Sequence, residues 1–376
     1  CGAHGSAFDF IMNTDGVEFP EAVERLAGQA GLEMPASTHD PAESKRRDER
    51  QRLLSLLQIA SEWFEDKLGA RQGSAAWKYV EERGIERKTA AHFRLGYSPD
   101  SRTMLKEAML ARNFSEVEML AAGLLVRPED GREMYDRFRN RLMFPITDRR
   151  GRVVAFGGRA LGDAQPKYLN SPETDLFHKG ALLYNLAGAR AVRQAAGTVI
   201  VAEGYTDVMS LWQHGFANAV APLGTAITDL QVAELWRITP EPVLCMDGDA
   251  AGVRAATRMA ENALPLLKPG HSLRFALLPN GEDPDSLLRA RGAAALTEVL
   301  SSALPLSEVL WRSMTMGDYS TPERRAGLRQ AVLQMVDTIG DRTVQEYYRK
   351  HLIGLLDQSF GGRSTGRHGA LRRSGA

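Results

Sequence analysis

Thr198-Val199-Ile200-Val201-Ala202-Glu203-Gly204-Tyr205-Thr206-Asp207 decides how the rest of the chain is read. Its apolar run ends on a carboxylate and a glycine, the pattern of a buried strand that stops at its tip. Working outward, the residues predict a helix over Asp207 to His214, a strand over Ala217 to Ala221 and a helix over Asp229 to Arg237. A strand over Val243 to Met246, a helix over Ala251 to Leu267 and a strand over Leu273 to Leu278 follow. Strand alternating with helix predicts an α/β unit with a largely parallel sheet.

Acidic residues follow three of these strands. They are Glu203, the Asp247-Gly248-Asp249 triplet, and Glu282-Asp283-Pro284-Asp285. The carboxyl ends of parallel strands line one crevice, so these groups are expected to converge. Converging carboxylates repel one another unless divalent cations sit between them. Asp207 stands one helical turn beyond Glu203 and can face the same crevice. The triplet has three rival readings. An EF-hand would need ligands where Ala251 and Arg258 stand, so it fails. An aspartyl-nucleophile phosphatase would leave Glu203, Asp283 and Asp285 unexplained. A solvated turn with a helix N-cap remains open for the triplet alone.

Around this unit the texture differs. Residues 21–30 carry apolar positions at helical spacing, with Gly31 placed to end the helix. Residues 36–48 read as a linker, and the charge run Lys45 to Arg52 leads into a helix through Leu68 with a stripe of Leu53, Leu56, Leu57, Ala60, Trp63 and Phe64. Ser115 and Glu118 have capping-box spacing. Arg141 to Thr147 and Arg152 to Phe156 read as a hairpin turned at Asp148 to Gly151. Gly157-Gly158-Arg159 is expected to break the second strand, and Pro166 to Pro172 to form an ordered loop. Beyond Gly292 the chain reads as nearly all helical to Phe360, and residues 361–376 as a disordered basic tail. The expected organisation is a basic subdomain at 49–195, the α/β unit at 196–300 and a helical subdomain at 301–360.

Composition is that of a globular chain, with 376 residues, 43% hydrophobic and 25% charged. No apolar run is long enough to span a membrane and no secretory signal is evident, which predicts a cytoplasmic protein. Two cysteines, Cys1 and Cys245, cannot form a disulfide framework. The net charge is zero but unevenly spread. Residues 127–193 hold 13 Lys/Arg and 8 Asp/Glu (+5), and residues 203–285 hold 5 and 11 (−6). A basic half beside an acidic half suits polyanions on one side and metal ions on the other. Overall neutrality argues against tight non-specific DNA binding.

These motifs resemble a known family. The Glu203-Gly-Tyr-Thr-Asp207 segment, Ala219-Val-Ala-Pro-Leu-Gly-Thr-Ala226, Asp247-Gly-Asp249 and Asn280-Gly-Glu-Asp-Pro-Asp285 resemble the Toprim domain of bacterial replicative DNA primases of the DnaG type. Upstream, Arg137-Phe-Arg-Asn-Arg141, Phe156-Gly-Gly-Arg159, Pro166-Lys-Tyr-Leu-Asn170 and Phe177-His-Lys179 look like the basic subdomain peculiar to those primases. Residues 1–10 look like the end of the family's zinc-binding domain, with Cys1 at its last zinc ligand; the remaining ligands would precede residue 1. One cysteine cannot hold a structural zinc, so Zn²⁺ is expected only in the full-length protein.

The resemblance implies RNA-primer synthesis on single-stranded DNA from NTPs. It implies metal binding by Glu203, Asp247 and Asp249, with Asp207, Asp283 and Asp285 as further acidic residues of the cleft. Two Mg²⁺ ions about 4 Å apart, replaceable by Mn²⁺, serve such chemistry. It assigns Arg159, Lys167, Asn170 and Lys179 to template and nucleotide, with Asn170 donating to a sugar or base edge. Tyr168 reads equally as a stacking residue or as core. The replicative helicase and single-strand-binding protein are expected to engage regions outside this chain, and the core to be monomeric. Two alternatives remain: a Toprim nuclease or topoisomerase, and a non-catalytic single-strand-binding module. The topoisomerase needs a nucleophilic Tyr in a strand-gating domain, for which the nine scattered Tyr offer no sign.

Overall fold

The computed structural model describes residues 5–32, 41–224 and 226–360. Cys1, residues 36–40 of the expected linker and the 361–376 tail lie outside the described residues. Two helices come first, α1 (Ala7–Asp15) and α2 (Phe19–Gln29). Beyond α2, Gly31 takes a φ of 66°, as the sequence anticipates. The long α3 (Pro41–Gly69) starts earlier than expected. Residues 41–48 are its first turns rather than linker, because their charges face solvent, where Lys45 and Glu49 pair one turn apart. The Leu56, Leu57, Ala60 and Phe64 stripe is buried.

Next come α4 (Ser74–Glu82), α5 (Arg87–His92), β1 (Gly96–Ser98), α6 (Met104–Leu110) and α7 (Glu116–Ala121). The capping box of Ser115 and Glu118 starts α7. Then follow β2 (Leu125–Val126), β3 (Tyr135–Asp136), β4 (Arg141–Thr147), β5 (Val153–Ala160) and β6 (Tyr168–Asn170). The strands β1-β4-β5-β6, in that order, form an antiparallel sheet. At the β4–β5 turn, Asp148 accepts from the N–H groups of Arg150 and Arg152.

Two expectations fail here. The glycines do not break β5, which runs through Gly157 and Gly158 to Ala160 between β4 and β6. They are small for a tertiary reason: a Cβ on Gly157 would stand 2.8 Å from the Tyr205 hydroxyl. The Pro166 to Pro172 segment is not wholly loop either. Its centre pairs with β5 in the register Gly157 to Asn170 and Arg159 to Tyr168. Pro166 lies before this strand and Pro172 after it, so neither interrupts the ladder.

The second unit contains α8 (Leu186–Ala196), β7 (Ile200–Val201), α9 (Tyr205–Gln213), β8 (Ala219–Val220), α10 (Asp229–Trp236) and β9 (Val243–Met246). It continues with α11 (Ala250–Ala263), β10 (Arg274–Leu277), α12 (Pro284–Ser301) and β11 (Leu304–Pro305). The sheet order is β11-β10-β9-β7-β8. The three pairings that join β10-β9-β7-β8 are parallel, and β11, unforeseen in the sequence, closes one edge antiparallel. From β7 the chain winds first to β8 on one side and then to β9 on the other. The carboxyl ends of β7 and β9 therefore flank a topological switch point, where α/β sheets open a crevice.

Side chains alternate across this sheet. Ile200, Ala202 and Cys245 pack with α9 and α12 residues, and Val199, Val201, Leu244 and Met246 pack toward α11. The closing helices α13 (Leu306–Met314), α14 (Pro322–Val336) and α15 (Arg342–Phe360) add Leu310, Val332 and Leu352 to the second of these clusters. The first cluster also takes in Leu142, Phe144 and Ala155 of the antiparallel sheet, so one apolar core joins the two sheets. No described helix is long and apolar enough to cross a membrane.

Candidate active site

Glu203 is the first exposed residue past β7, since the Ala202 N–H still bonds the Val220 carbonyl at 2.9 Å. Gly204 then caps α9, and the Asp207 carboxylate accepts from its N–H at 3.0 Å. Asp207 thereby turns back toward the strand tip. Burial, then the neighbouring Asp283, Asp247 and Asp285 charges, push its pKa up to about 8. Asp247 follows β9 and is raised to about 6 by burial and by Glu203, Asp283 and Asp249. Carboxylates 36 to 78 residues apart in the chain thus act on one another across one crevice. Cys245, on the crevice floor, is raised to about 12 by burial and the same carboxylates.

The loops after β9 and β10 are locked by backbone contact. The Gly248 N–H donates to the Glu282 carbonyl at 3.1 Å. A Cβ on Gly248 would lie 1.8 Å from the Pro279 carbonyl oxygen, so only glycine fits. This contact sets Asp247 and Asp249 beside Asp283 and Asp285. Asp249 caps α11 through the Gly252 N–H at 2.7 Å, and Asp283 caps α12 through the Ser286 N–H at 2.7 Å. The N-cap reading of the triplet therefore holds for Asp249, yet each cap leaves Oδ2 uncommitted among the described residues. Asp285 pairs with Arg289 at 3.4 Å.

Glu203, Asp207, Asp247, Asp249 and Asp283 have no ion-pair partner among the described residues. Nor do any three Asp, Glu, His or Cys side chains there already gather in a geometry that could hold an ion. The donors are hard carboxylate oxygens at a switch-point crevice, a set whose chemistry and charge fit Mg²⁺ or Mn²⁺.

The edge strand β6 of the antiparallel sheet is tied to the start of α9 by the bond between the Tyr205 hydroxyl and Asn170. The Arg159 guanidinium sits 4.0 Å from the Tyr79 ring centre and 5.8 Å from that of Tyr168. Its Nη1 donates to the Ala160 carbonyl, and its Nε is buried without a partner among the described residues. Lys167 is exposed, and Tyr168 is 40% exposed, so it is not core. Lys179 is half-buried, with Nζ 3.9 Å from the place of a Gly224 Cβ. Asn170 differs from the free donor anticipated from sequence. Its Oδ1 accepts from the Tyr205 hydroxyl at 2.8 Å, and its Nδ2 donates to the Leu223 carbonyl at 2.9 Å.

Much of the basic surplus is structural. Arg137 holds the Asn170 carbonyl, and Arg141 holds those of Gly158 and Pro166. Arg149 pairs with Glu234, Arg150 with Glu21 and Arg152 with Asp148. The sequence reading gave no individual role to Tyr205 or Arg141, and took Gly248 only as a residue that lets the backbone turn. Position alone hinted at Tyr205, which stands midway between Glu203 and Asp207.

Three family models match the chain: the CHC2 zinc finger over residues 1–42, the N-terminal domain of the DNA primase catalytic core over 63–190, and the Toprim domain over 197–276. The curated DNA primase of Escherichia coli (strain K12) is 42% identical over 96% of this chain, and that of Pseudomonas aeruginosa is 41% identical over 96%. The chain spans 62% and 55% of their lengths. A solved DnaG primase catalytic domain bound to single-stranded DNA superposes with a TM-score of 0.73 at 40% identity, covering 82% of this chain and 99% of that one. A DNA primase domain from Pseudomonas aeruginosa gives 0.76 at 41% identity, covering 81% and 96%. With a Toprim sheet, its carboxylate crevice and the primase-specific basic subdomain in one chain, the protein belongs to the DnaG-type bacterial DNA primases.

Proposed function

We propose that this chain makes short RNA primers on a single-stranded DNA template by metal-dependent nucleotidyl transfer from NTPs. The observation that carries the reading is the pairing of an uncompensated carboxylate crevice with a ledge of Arg159, Lys167 and Lys179 across one apolar seam. Glu203, Asp247 and Asp249 would hold Mg²⁺ or Mn²⁺, with Asp207, Asp283 and Asp285 completing the negative field. Bound there, divalent cations would make the attacking 3′-hydroxyl more acidic and compensate charge on the α-phosphate and departing pyrophosphate.

The chain's own residues do the positioning. Gly248 holds the two acidic loops in contact. Lys167 and Lys179 offer ammonium groups to phosphates, and Tyr168 offers a ring face on which a base can stack. Arg159, flanked by Tyr79 and Tyr168, is oriented by those rings rather than by a carboxylate. Few free cations suit a template grip that is weak unless partners help. The solved relative bound to single-stranded DNA supports this choice of template. The replicative helicase, single-strand-binding protein and a zinc site including Cys1 belong to the same reading through regions outside this chain, as do a monomeric core and a cytoplasmic, nucleoid-associated place of work.

The test is incubation with single-stranded DNA and NTPs with and without Mg²⁺ or Mn²⁺. Metal-dependent short oligoribonucleotides are expected from the wild type, and none from Asp247→Ala at an unchanged circular-dichroism spectrum. Cut DNA in place of new RNA, or near-normal synthesis by Asp247→Ala, would overturn the assignment.

A further inference from the structure

We propose that Tyr205 and Asn170 are positioning residues that fix the spacing between the carboxylate crevice and the lysine ledge. The inference rests on the nucleotidyl-transfer reading above. Tyr205 stands two residues past Glu203 and begins α9. Its ring is 6% exposed, stacks on Phe144 at 5.0 Å and meets Tyr184 edge-on at 4.8 Å. The missing side chain of Gly157 makes room for its hydroxyl.

That hydroxyl donates to Asn170 Oδ1, and Asn170 Nδ2 donates to the Leu223 carbonyl. Asn170 is opposite Gly157 in the β5–β6 register, three residues past Lys167. Leu223 precedes Gly224, whose Cβ position is 3.6 Å from Asn170 Nδ2 and 3.9 Å from Lys179 Nζ. Two hydrogen bonds therefore join the β7 tip, the β6 ledge and the loop after β8. The Arg137 guanidinium holds the Asn170 backbone carbonyl from another direction at 3.0 and 3.2 Å.

The orientation of the amide follows from chemistry. The Leu223 carbonyl can only accept, so Nδ2 must face it, which leaves Oδ1 for the Tyr205 hydroxyl. A tyrosine hydroxyl ordinarily carries its proton at neutral pH, so it can donate to that oxygen. Bonds of this kind in a low-dielectric seam act as a unit. Misplacement of reacting groups by about 1 Å can cost roughly 100-fold in rate, so a seam of two bonds is enough to matter.

The experiment compares Tyr205→Phe, Asn170→Ala and the double variant in primer synthesis with titrated NTP and Mn²⁺. Template affinity is read by fluorescence anisotropy of labelled single-stranded DNA, and stability by thermal melting. Tyr205→Phe keeps the ring packing and loses only the hydroxyl. Each single variant is expected to lower kcat by roughly 10-fold, with template Kd changed less than about 2-fold and the double variant no worse than the poorer single one. Asn170→Asp is expected to resemble Asn170→Ala, because a carboxylate oxygen cannot donate to the Leu223 carbonyl.

Wild-type kcat in Tyr205→Phe overturns the proposal. So does a loss confined to template Kd or NTP KM in Asn170→Ala with Tyr205→Phe silent, which would make Asn170 a direct contact. So does a kcat per folded molecule that is unchanged in both. Failure of the underlying reading looks different: wild-type protein would then give no metal-dependent RNA, or Asp247→Ala would remain active.

Discussion

Gly248→Ala tests whether the two acidic loops must touch. The added Cβ would stand 1.8 Å from the Pro279 oxygen, 2.4 Å from its carbonyl carbon and 2.5 Å from the Leu278 oxygen. All three are backbone atoms, so no side-chain rotation can relieve them. Ordinary contact begins at 3.4 Å, so the loops must part by 1.6 Å (3.4 − 1.8). That opening also stretches the 3.1 Å bond from the Gly248 N–H to the Glu282 carbonyl beyond use. Overpacking of this sort costs about 1–3 kcal/mol, and the lost hydrogen bond adds about 1 kcal/mol. A catalytic effect accompanies the stability effect. Asp247 and Asp249 flank the displaced residue, and a shift of this size removes roughly 100-fold in rate or more. Urea unfolding would give the stability, and radiolabelled primer synthesis at saturating Mn²⁺ would give the rate. A folded Gly248→Ala protein with synthesis within about 2-fold of wild type would refute the claim that loop contact sets the crevice.

Two further outcomes follow from other parts of the molecule. Lys167→Ala is expected to weaken template or nucleotide use several-fold while leaving the Mn²⁺ concentration for half-maximal synthesis unchanged, because Lys167 is exposed and its side chain contacts no carboxylate among the described residues; unaltered anisotropy and NTP kinetics would remove it from the ledge. Asp136 is 2% exposed, accepts from the Leu105 and Lys106 N–H groups at 2.8 and 3.0 Å, and is raised by burial from its ordinary 3.8 to about 6. The folded state therefore binds this proton more tightly, so its contribution to stability is full below about pH 4 and is lost as pH rises through 6; urea unfolding of wild type against Asp136→Asn should show the wild type losing ground between pH 5 and pH 7, and parallel pH curves would contradict it.

The α/β unit was legible because local pattern and global position agree there. The strands β7, β8 and β9 are fully buried within short apolar runs, and the carboxylates that follow β7 and β9 fall at their tips. Thr198 to Asp207 fixed the first of these, and Val243 to Met246 matches its strand residue for residue. The basic subdomain was less legible because its features depend on partners far away in the chain. Gly157 reads locally as a strand breaker, yet its reason is the Tyr205 ring, 48 residues on. Tyr168 to Asn170 becomes a strand only by pairing with β5. Nothing local distinguishes Arg137 and Arg141, which hold carbonyls, from Lys167, which faces solvent. Asn170 looked available for the same reason: both bonding partners of its side chain, Tyr205 and Leu223, belong to the other sheet's unit.

The position of β6 at the outside of its sheet has a consequence for solution behaviour. An outer strand presents unpaired backbone groups to any passing chain, and lysine is one of the residues that discourages such strand addition. Lys167 sits immediately before β6, so the charge that suits it to phosphates also deters self-association along that edge. Replacing it with an apolar residue would thus create an aggregation liability along that strand.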